Sequence, residues 1–402
     1  MSIFKDKSVI LAVTGGIAAY KAAELARMFI TEGAAVRVVM TKSATRFITP
    51  LTFQTLTGQP VIDDMWEVTT PLEVEHISWA DWADVVVIAP ATANIIGKIA
   101  GGIADDFLST FIMAVQSPVV ISPAMNVHMY ENPIVQENLA KLRNHNYRLV
   151  EPGTGFLACG YEGQGRLPEP GVIVEETRAA LTEQDLAGVK VVVSSGPTRE
   201  KWDDIRYFSN ISSGKMGTAL AKDARTRGAE VVLVTGPTAL PDPYGIETVR
   251  IESTMDMKKA VFDRLDWMDV LVMAAAPMDF RPAEQVQGKV KKSGDPPAIQ
   301  LTLNEDFFTE LGQKKDNRIL IGFAAEAKNL VDYAKGKLER KNMDLIVANQ
   351  IGAPGAAFAA DTNQVTIIDR QGKIEESPLL SKDEVASLIW DRVAPLIKAR
   401  KK

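Results

Sequence analysis

The chain holds one cysteine, Cys159, in the segment GFLACGYEGQGRLPEP. A thiol with an ordinary pKa near 8.5 is a usable proton donor at neutral pH. A lone cysteine is more often a small buried side chain. Here Gly155, Gly160, Gly163 and Gly165 surround it, which predicts a flap and not a core strand. Arg166 in the same flap could pair with a substrate anion. A second chemistry is suggested by Thr14-Gly15-Gly16-Ile17, a turn between an apolar run and a helical pattern. Backbone N–H groups and the helix dipole favour an anion there, although tight helix–sheet packing would ask for the same glycines. The dinucleotide fingerprint G-x-G-x-x-G is missing. The next strand ends in Met40-Thr41-Lys42-Ser43, without the Asp or Glu that holds a ribose diol. Hydroxyls and a lysine there suit a phosphate better than an adenosine ribose, which tilts the reading from NAD toward a mononucleotide such as FMN, with Ser43 and Thr45 as natural phosphate donors. A third segment, SSGKMG, imitates a P-loop. Ser209 stands where Walker A needs glycine and Met216 where it needs Ser or Thr, so it is not one. Gly214 and Gly217 still open a helix where a doubly wound sheet takes a phosphate.

These turns need strands and helices to present them. Val9–Val13, the helical run IAAYKAAELARMFITEG and AAVRVVMT form a βαβ unit, which favours a parallel sheet with both faces covered. DVVVIAPAT and PVVISPAMN are further strands. The pattern restarts near Val189 with VKVVVSSGP, a helix closed by Gly228, and AEVVLVTGP; DVLVMAAAP, LIGFAAE and DLIVAN follow. EGAAVRVVMTK and RGAEVVLVTGP read as the same helix-to-strand turn. The expected fold is α/β, two doubly wound, mainly parallel-sheet (Rossmann/flavodoxin-like) domains in tandem. The boundary is placed in the polar stretch 182–188, giving domains 1–187 and 188–402. Lys289–Pro297 (KVKKSGDPP) reads as a mobile basic loop.

At 402 residues the chain is too long for one ordinary core. With 46% hydrophobic and 24% charged residues it has a soluble protein's composition, and no apolar run reaches the ~20 residues of a membrane span. The N-terminus reads as a first strand and not a signal peptide. One cysteine excludes an intramolecular disulfide framework and a Cys-based zinc cluster. These features favour the cytoplasm. The net charge of -6 argues against a general nucleic-acid binder.

GGIAAYKAAEL, HISWADWADVVVIAPATANIIGKIAGGIADD, PAMN and LACGYEGQGRLPEP, in that order, resemble the flavin-dependent cysteine decarboxylase family. GPTREKWDDIRYFSNISSGKMG, AAPMDF, KVKK and KNMDLIVAN resemble the phosphopantothenate–cysteine ligase domain. Nearly the whole chain therefore resembles the bifunctional decarboxylase/ligase family of coenzyme A synthesis. For the first half the resemblance implies FMN, contacted by Gly16, Ile17, Ser43, Thr45, Ala91, Thr92, Ala93 and Asn94. It implies redox-neutral decarboxylation, with transient oxidation of the thiol side creating the electron sink. Cys159 is then the final proton donor, His76 the base, and Asn126 the holder of the substrate carboxylate. His128 and His145 read as structural. Asn126 could instead cap the next helix, and Asp105 and Asp106 could be a solvated helix start.

For the second half the resemblance implies CTP-dependent activation of 4′-phosphopantothenate to an acyl-cytidylate, which the amine of cysteine then attacks. Asn210 would hold that intermediate, Lys289 would contact phosphates, and Asp279 would serve CTP or Mg2+. Ala274, Ala275, Asn304, Glu305, Asp306 and Phe307 join the nucleotide set. Phe307 and Phe323 would flank the nucleotide, with Lys337 and Lys341 reaching it; the two lysines could instead be a solvated helix face. Arg206 would bind substrate. Pro277 stands where the family often has an aliphatic residue, which leaves the loop geometry there open. Relatives form large homo-oligomers from decarboxylase trimers and ligase dimers. The rival readings are a flavin-binding regulatory protein of the same fold, which has no need of the ligase half, and a nicotinamide dehydrogenase, which lacks its fingerprint.

Overall fold

The structure is a computed structural model and describes residues 2–66, 74–156, 160–291, 298–326, 330–350 and 360–400. The chain divides into two compact units, Met1–Glu183 and Gln184–Lys402. Leu186 already packs in the second unit's core.

In the first unit, β1 (Ser8–Val13), β2 (Ala35–Met40), β3 (Val61–Ile62), β4 (Val85–Ala91), β5 (Val119–Pro123) and β6 (Arg148–Leu149) form one parallel sheet, ordered β3-β2-β1-β4-β5-β6. All seven residues of β4 are buried, as both faces of a central parallel strand require. Helices Ala93–Gly101 and Phe107–Ala114 cover one face, through Ile95, Ile96, Phe107 and Phe111. Lys21–Thr31 and Pro170–Leu181 pack together on the other. The strand order reverses at β1, so a crevice opens beyond the carboxyl ends of β1 and β4. Next comes an antiparallel hairpin, β7 (Gly153–Phe156) with β8 (Glu162–Arg166).

The second unit repeats the plan. Its strands are β9 (Lys190–Ser195), β10 (Arg199–Lys201), β11 (Tyr207–Ser209), β12 (Glu230–Thr235), β13 (Glu247–Arg250), β14 (Val270–Met273), β15 (Phe280–Pro282), β16 (Leu301–Leu303), β17 (Ile319–Glu326), β18 (Leu345–Gln350), β19 (Thr362–Asn363), β20 (Val365–Asp369), β21 (Ile374–Glu376) and β22 (Leu380–Ser381). The main sheet runs β13-β12-β9-β14-β17-β18-β20-β21, parallel as far as β18 and antiparallel over the last two pairings. Small antiparallel pairs β10/β11, β15/β16 and β19/β22 stand outside it.

One device recurs. Asp84 precedes β4, and its carboxylate accepts the Ser8 N–H at 2.8 Å while its own N–H donates to Ser8 O. Asp269 does the same to Lys190 at 2.9 Å, and Asp344 to Leu320 at 2.9 Å. Each aspartate meets an N–H at the start of the adjacent parallel strand, the first residue of β1 and β9 and the second of β17, where the ladder would leave it unsatisfied. The helix-to-strand turns also match: Gly33 (φ 94) and Gly228 (φ 92) both leave the helix left-handed.

Candidate functional site

The first unit's crevice is held together by side chains at three strand ends. Thr14, buried just after β1, donates its hydroxyl to Pro90 O at 2.7 Å and accepts the Thr92 N–H at 3.1 Å. A Cβ on Gly15 would collide with the Ser43 side chain and stand 2.8 Å from its carbonyl carbon, so the β1 and β2 turns lie directly on each other. Gly16 precedes the 3-10 turn Ile17–Tyr20, and its Cβ position is 3.8 Å from Thr92 Cγ2. Thr92 in turn begins the helix Ala93–Gly101, and Ser43 begins the turn Ala44–Arg46. Gly16, Ile17, Ser43, Thr92, Ala93 and exposed Asn94 thus converge, and helical starts offer N–H groups to an anion. Ala91 is fully buried and can contribute only backbone. Thr45 donates to Lys42 O at 2.9 Å within its own turn. Lys42 is turned to Asp64 at 3.0 Å and Asp63 at 3.7 Å, leaving hydroxyls and N–H groups as the phosphate donors.

Half-buried His76 lies in the first turn of the helix Glu75–Trp82. Asn126 follows β5, and its Oδ1 accepts the His128 N–H at 2.9 Å, capping the short helix Val127–Tyr130. The capping geometry is therefore real, and the side-chain N–H2 is the end suited to a carboxylate. The hairpin β7/β8 lies across this same turn. The Met125 N–H donates to Gly165 O at 2.9 Å, and a Cβ on Gly163 would meet Val127 Cγ2 at 2.6 Å. Cys159, in the loop joining β7 to β8, lies outside the described residues, as do Leu157 and Ala158. Arg166 pairs with Glu169 at 3.1 Å. Asp105 and Asp106 are structural: both pair with Lys98, at 2.6 and 2.8 Å, and Asp106 caps the helix Phe107–Ala114.

The second unit's crevice is built at the ends of β9, β12 and β14. Ser195 donates to Gly214 O at 2.8 Å, and a Cβ on Gly217 would lie 2.5 Å from Ser195 Oγ. The helix Lys215–Thr226 can approach β9 this closely only because Gly217 has no side chain. Asn210 Nδ2 donates to Pro277 O at 2.9 Å and Ala276 O at 3.3 Å, tying the end of β11 to the turn after β14. In that turn the Ala275 N–H donates to Ser194 Oγ at 3.2 Å, next to Ala274. Asp279 is exposed, and its carbonyl accepts the Asn304 N–H at 2.8 Å. A buried network stands behind it. Glu200 accepts from the Thr254 hydroxyl at 2.7 Å, Thr254 and Thr198 share a hydrogen bond at 3.0 Å, and Thr198 Oγ1 accepts the Met278 N–H at 2.9 Å.

Several expected nucleotide contacts have other partners. Asn304 Nδ2 donates to Met278 O at 2.8 Å, Glu305 pairs with Lys258 at 2.5 Å, and Asp306 pairs with Lys341 at 2.7 Å. Burial raises the Asp306 pKa, but Lys341 and Thr309 more than offset this and hold it below the usual range. Lys337 donates to Phe323 O at 3.1 Å. The two aromatic flanks do not come together. Phe307 is 3% exposed in the core on one face of the sheet, and Phe323 packs against the core on the other. Phe307 can offer a nucleotide only its backbone. Arg206 is a clamp: it stacks on Trp202 at 4.8 Å and donates to Val290 O at 2.6 Å. Lys289 is exposed and makes no ion pair with a described residue; residues 292–297 of its loop lie outside the described set. A cavity of about 710 Å³ lined by Arg225, Glu230, Glu247, Arg264 and Trp267 holds none of these residues and opens at the amino ends of β12 and β13, away from the crevice.

Thr14, Thr198, Glu200, Asp203, Asp204 and Thr254 were not expected at either site. Asp203 and Asp204 carried a signal, since they stand in the same segment as Arg206 and Asn210. Glu200 and Thr198 stand in that segment too, but their partner Thr254 carried none, being 54 residues from Glu200.

The sequence model described as Flavoprotein matches residues 4–182, and that described as DNA/pantothenate metabolism flavoprotein C-terminal domain matches residues 186–396. The chain is 46% identical over 400 residues to the coenzyme A biosynthesis bifunctional protein CoaBC of Bacillus subtilis (strain 168), covering 98% of each. The chain belongs to the bifunctional coenzyme A biosynthesis family. The corresponding protein of Vibrio cholerae is 41% identical, with 97% of this chain and 98% of that one covered. A crystal structure of the C-terminal domain of a CoaBC protein is 39% identical, covers 54% of this chain and 100% of its own, and superposes with a TM-score of 0.47. In this bifunctional family the flavoprotein unit is the decarboxylase and the C-terminal unit the ligase, and the chain carries both.

Proposed function

We propose that the second unit joins 4′-phosphopantothenate to cysteine using CTP, and that the first unit decarboxylates the product to 4′-phosphopantetheine using FMN. The observation that carries this reading is the presence, on one chain, of two switch-point crevices whose glycine turns admit no side chain, Gly15 against Ser43 and Gly217 against Ser195. In the first, the turn at Gly16–Ile17, Ser43, Thr45 and Ala91–Asn94 would hold FMN, with its phosphate on N–H and hydroxyl groups. When bound, FMN supplies the reversible oxidation that gives the departing carboxyl group its electron sink. The chain's own groups do the rest. Asn126 orients the substrate carboxylate through its N–H2, His76 takes a proton on the thiol side, and Cys159 returns one at the end. Arg166 exchanges Glu169 for a substrate anion.

In the second crevice the carboxylate of 4′-phosphopantothenate attacks the α-phosphate of CTP and pyrophosphate leaves. The amine of cysteine then attacks the acyl carbon and expels CMP. Lys289 neutralises phosphate charge, and Asn210, fixed on the Ala276–Pro277 carbonyls, holds the acyl-cytidylate. Among the described residues no cluster of three or more His, Cys, Asp or Glu is placed to hold a metal. Mg2+ usually rides on substrate phosphates with one or two carboxylates, and Asp279 would be that carboxylate.

We infer assembly into decarboxylase trimers and ligase dimers; the exposed apolar side chains Ile17, Tyr20, Phe47 and Leu51 of the first unit and Ile205, Tyr207 and Ile211 of the second are available for subunit contacts of some kind. No described helix is long and apolar enough to cross a membrane. We place the enzyme in the cytoplasm, with small-molecule partners and no nucleic acid. The coupled assay tests the whole reading: phosphopantothenate, cysteine and CTP should yield phosphopantetheine. Pyrophosphate release with any carboxylic acid would count against the ligase assignment, and a protein that takes up no FMN against the decarboxylase.

A further inference from the structure

Lys289 stands between two residues whose backbone is held by one short turn. Asp203, between β10 and β11, is fully buried at 0% exposure. Its Oδ1 accepts the N–H groups of Ile205 at 2.9 Å and Arg206 at 2.7 Å, which closes the turn. Its Oδ2 reaches across 87 residues of sequence and accepts the Val290 N–H at 3.1 Å. Arg206 lies against the same carboxylate at 3.4 Å and donates to Val290 O at 2.6 Å, so both backbone polar groups of Val290 are taken. On the other side Asp204 accepts the Gly288 N–H at 2.8 Å, and its own N–H donates to Gly288 O at 3.4 Å.

The local fold needs only the Oδ1 bonds. The Oδ2 bond does something else: it sets where the Lys289 main chain stands relative to β11, which Asn210 follows. A lysine stem is long and flexible, so its reach is governed by where its backbone is pinned. A carboxylate is the group that fits, because every neighbour is a donor. Burial raises the Asp203 pKa, and the N–H groups of Ile205, Arg206 and Val290 together with the Arg206 charge hold it below the ordinary range. An amide there would turn N–H2 toward one of these donors.

We propose that Asp203 is a positioning residue for the ligase reaction, fixing through Val290 and Arg206 the place where the Lys289 ammonium meets the nucleotide phosphates. This rests on the assignment of Lys289 to those phosphates. The test uses the full-length protein and measures pyrophosphate release from CTP in the presence of 4′-phosphopantothenate. Asp203→Asn, Lys289→Gln and the double variant are compared, with FMN-dependent decarboxylation by the same preparations as a control. Asp203→Asn should lower kcat/KM for CTP by roughly tenfold to a hundredfold, the scale of a misplaced catalytic group. In the Lys289→Gln background it should cost less than about twofold more, because the two act as one unit. Decarboxylation should stay at the wild-type rate. Additive losses, or a normal Asp203→Asn beside an impaired Lys289→Gln, would overturn the positioning role alone. A normal Lys289→Gln would overturn the Lys289 assignment and this proposal with it. If Asp203→Asn does not fold, Val290→Pro removes the N–H that Asp203 Oδ2 accepts, and additivity with Lys289→Gln there overturns the proposal equally.

Discussion

Gly165→Ala asks whether the β7/β8 flap must lie on the Met125–Asn126 turn for decarboxylation. Gly165 is buried with φ +148, a conformation that side-chain-bearing residues rarely adopt. An added Cβ would run into the Met125 carbonyl oxygen, with the carbonyl carbon 3.4 Å away. The neighbour is backbone and has no rotamer to change. It is also tied to Gly165 itself, through the 2.9 Å bond from the Met125 N–H. Holding the strained conformation costs about 1–3 kcal/mol. The hairpin escapes by lifting, at the expense of that hydrogen bond, so relative to the lifted state the seated flap is weakened by about 1–3 kcal/mol. At about 1.36 kcal/mol per tenfold, the rate should fall roughly fivefold to a hundredfold. The flavin crevice is made by Thr14, Ser43 and Thr92, not by the hairpin, so bound FMN should be unchanged. The assay is phosphopantetheine formation from supplied phosphopantothenoylcysteine, normalised to flavin absorbance. A flavin-replete Gly165→Ala enzyme working at the wild-type rate would refute the seated-flap reasoning, and with it the case for Cys159 acting from this loop.

Thr14→Val keeps the shape but removes the hydroxyl, leaving Pro90 O and the Thr92 N–H without their 2.7 and 3.1 Å partner. An unsatisfied buried polar group costs about 1–3 kcal/mol, so FMN affinity should fall roughly fivefold to a hundredfold by fluorescence titration; unchanged affinity would show that the three-strand stitch does not shape the site. Asp223 is pushed up to about 6 by burial, with Asp391, Asp383 and Asp185 adding to it against the pull of Arg227, and one of its oxygens has no hydrogen-bond partner. Because the folded state holds the proton more tightly than the unfolded state, stability should rise as pH falls from above 6 toward 4, by at most about 3 kcal/mol. Asp223→Asn should stabilise the second unit at pH 8 and flatten that slope in urea unfolding at pH 8 and pH 5, and a variant less stable than wild type at pH 8 would contradict this.

The parallel strands were legible because each is a buried apolar run, and β4, β14 and β18 each begin just after an aspartate whose job repeats. The strand-end glycines were legible for a related reason: a missing side chain at a helix start has few explanations. What could not be read were partners far apart in sequence. The pairs β10/β11 and β15/β16 are three residues per strand, too short for any periodicity to register. Phe307 and Phe323 looked alike as aromatic flanks. In β17, however, the side-chain alternation puts Phe323 with Ile319 and Ile321 on one face, while Phe307 begins a helix packed on the other.

The lysines show why residue type alone does not rank a phosphate site. Lys289, Lys337 and Lys341 all looked suited to the nucleotide. Lys341 is held in an ion pair by Asp306 at 2.7 Å, with which a phosphate must compete, whereas Lys337 donates one of its three hydrogens to Phe323 O at 3.1 Å. The gain from a new ion pair is then reduced by the one broken, and the Asp306 charge left behind repels the phosphate. Lys289 carries no such debt, since its ammonium is exposed without an ion pair among the described residues and its backbone is fixed on both sides. On the proposed assignment it is therefore the cation that meets the triphosphate first, and Lys341 contributes only where binding also draws Asp306 away.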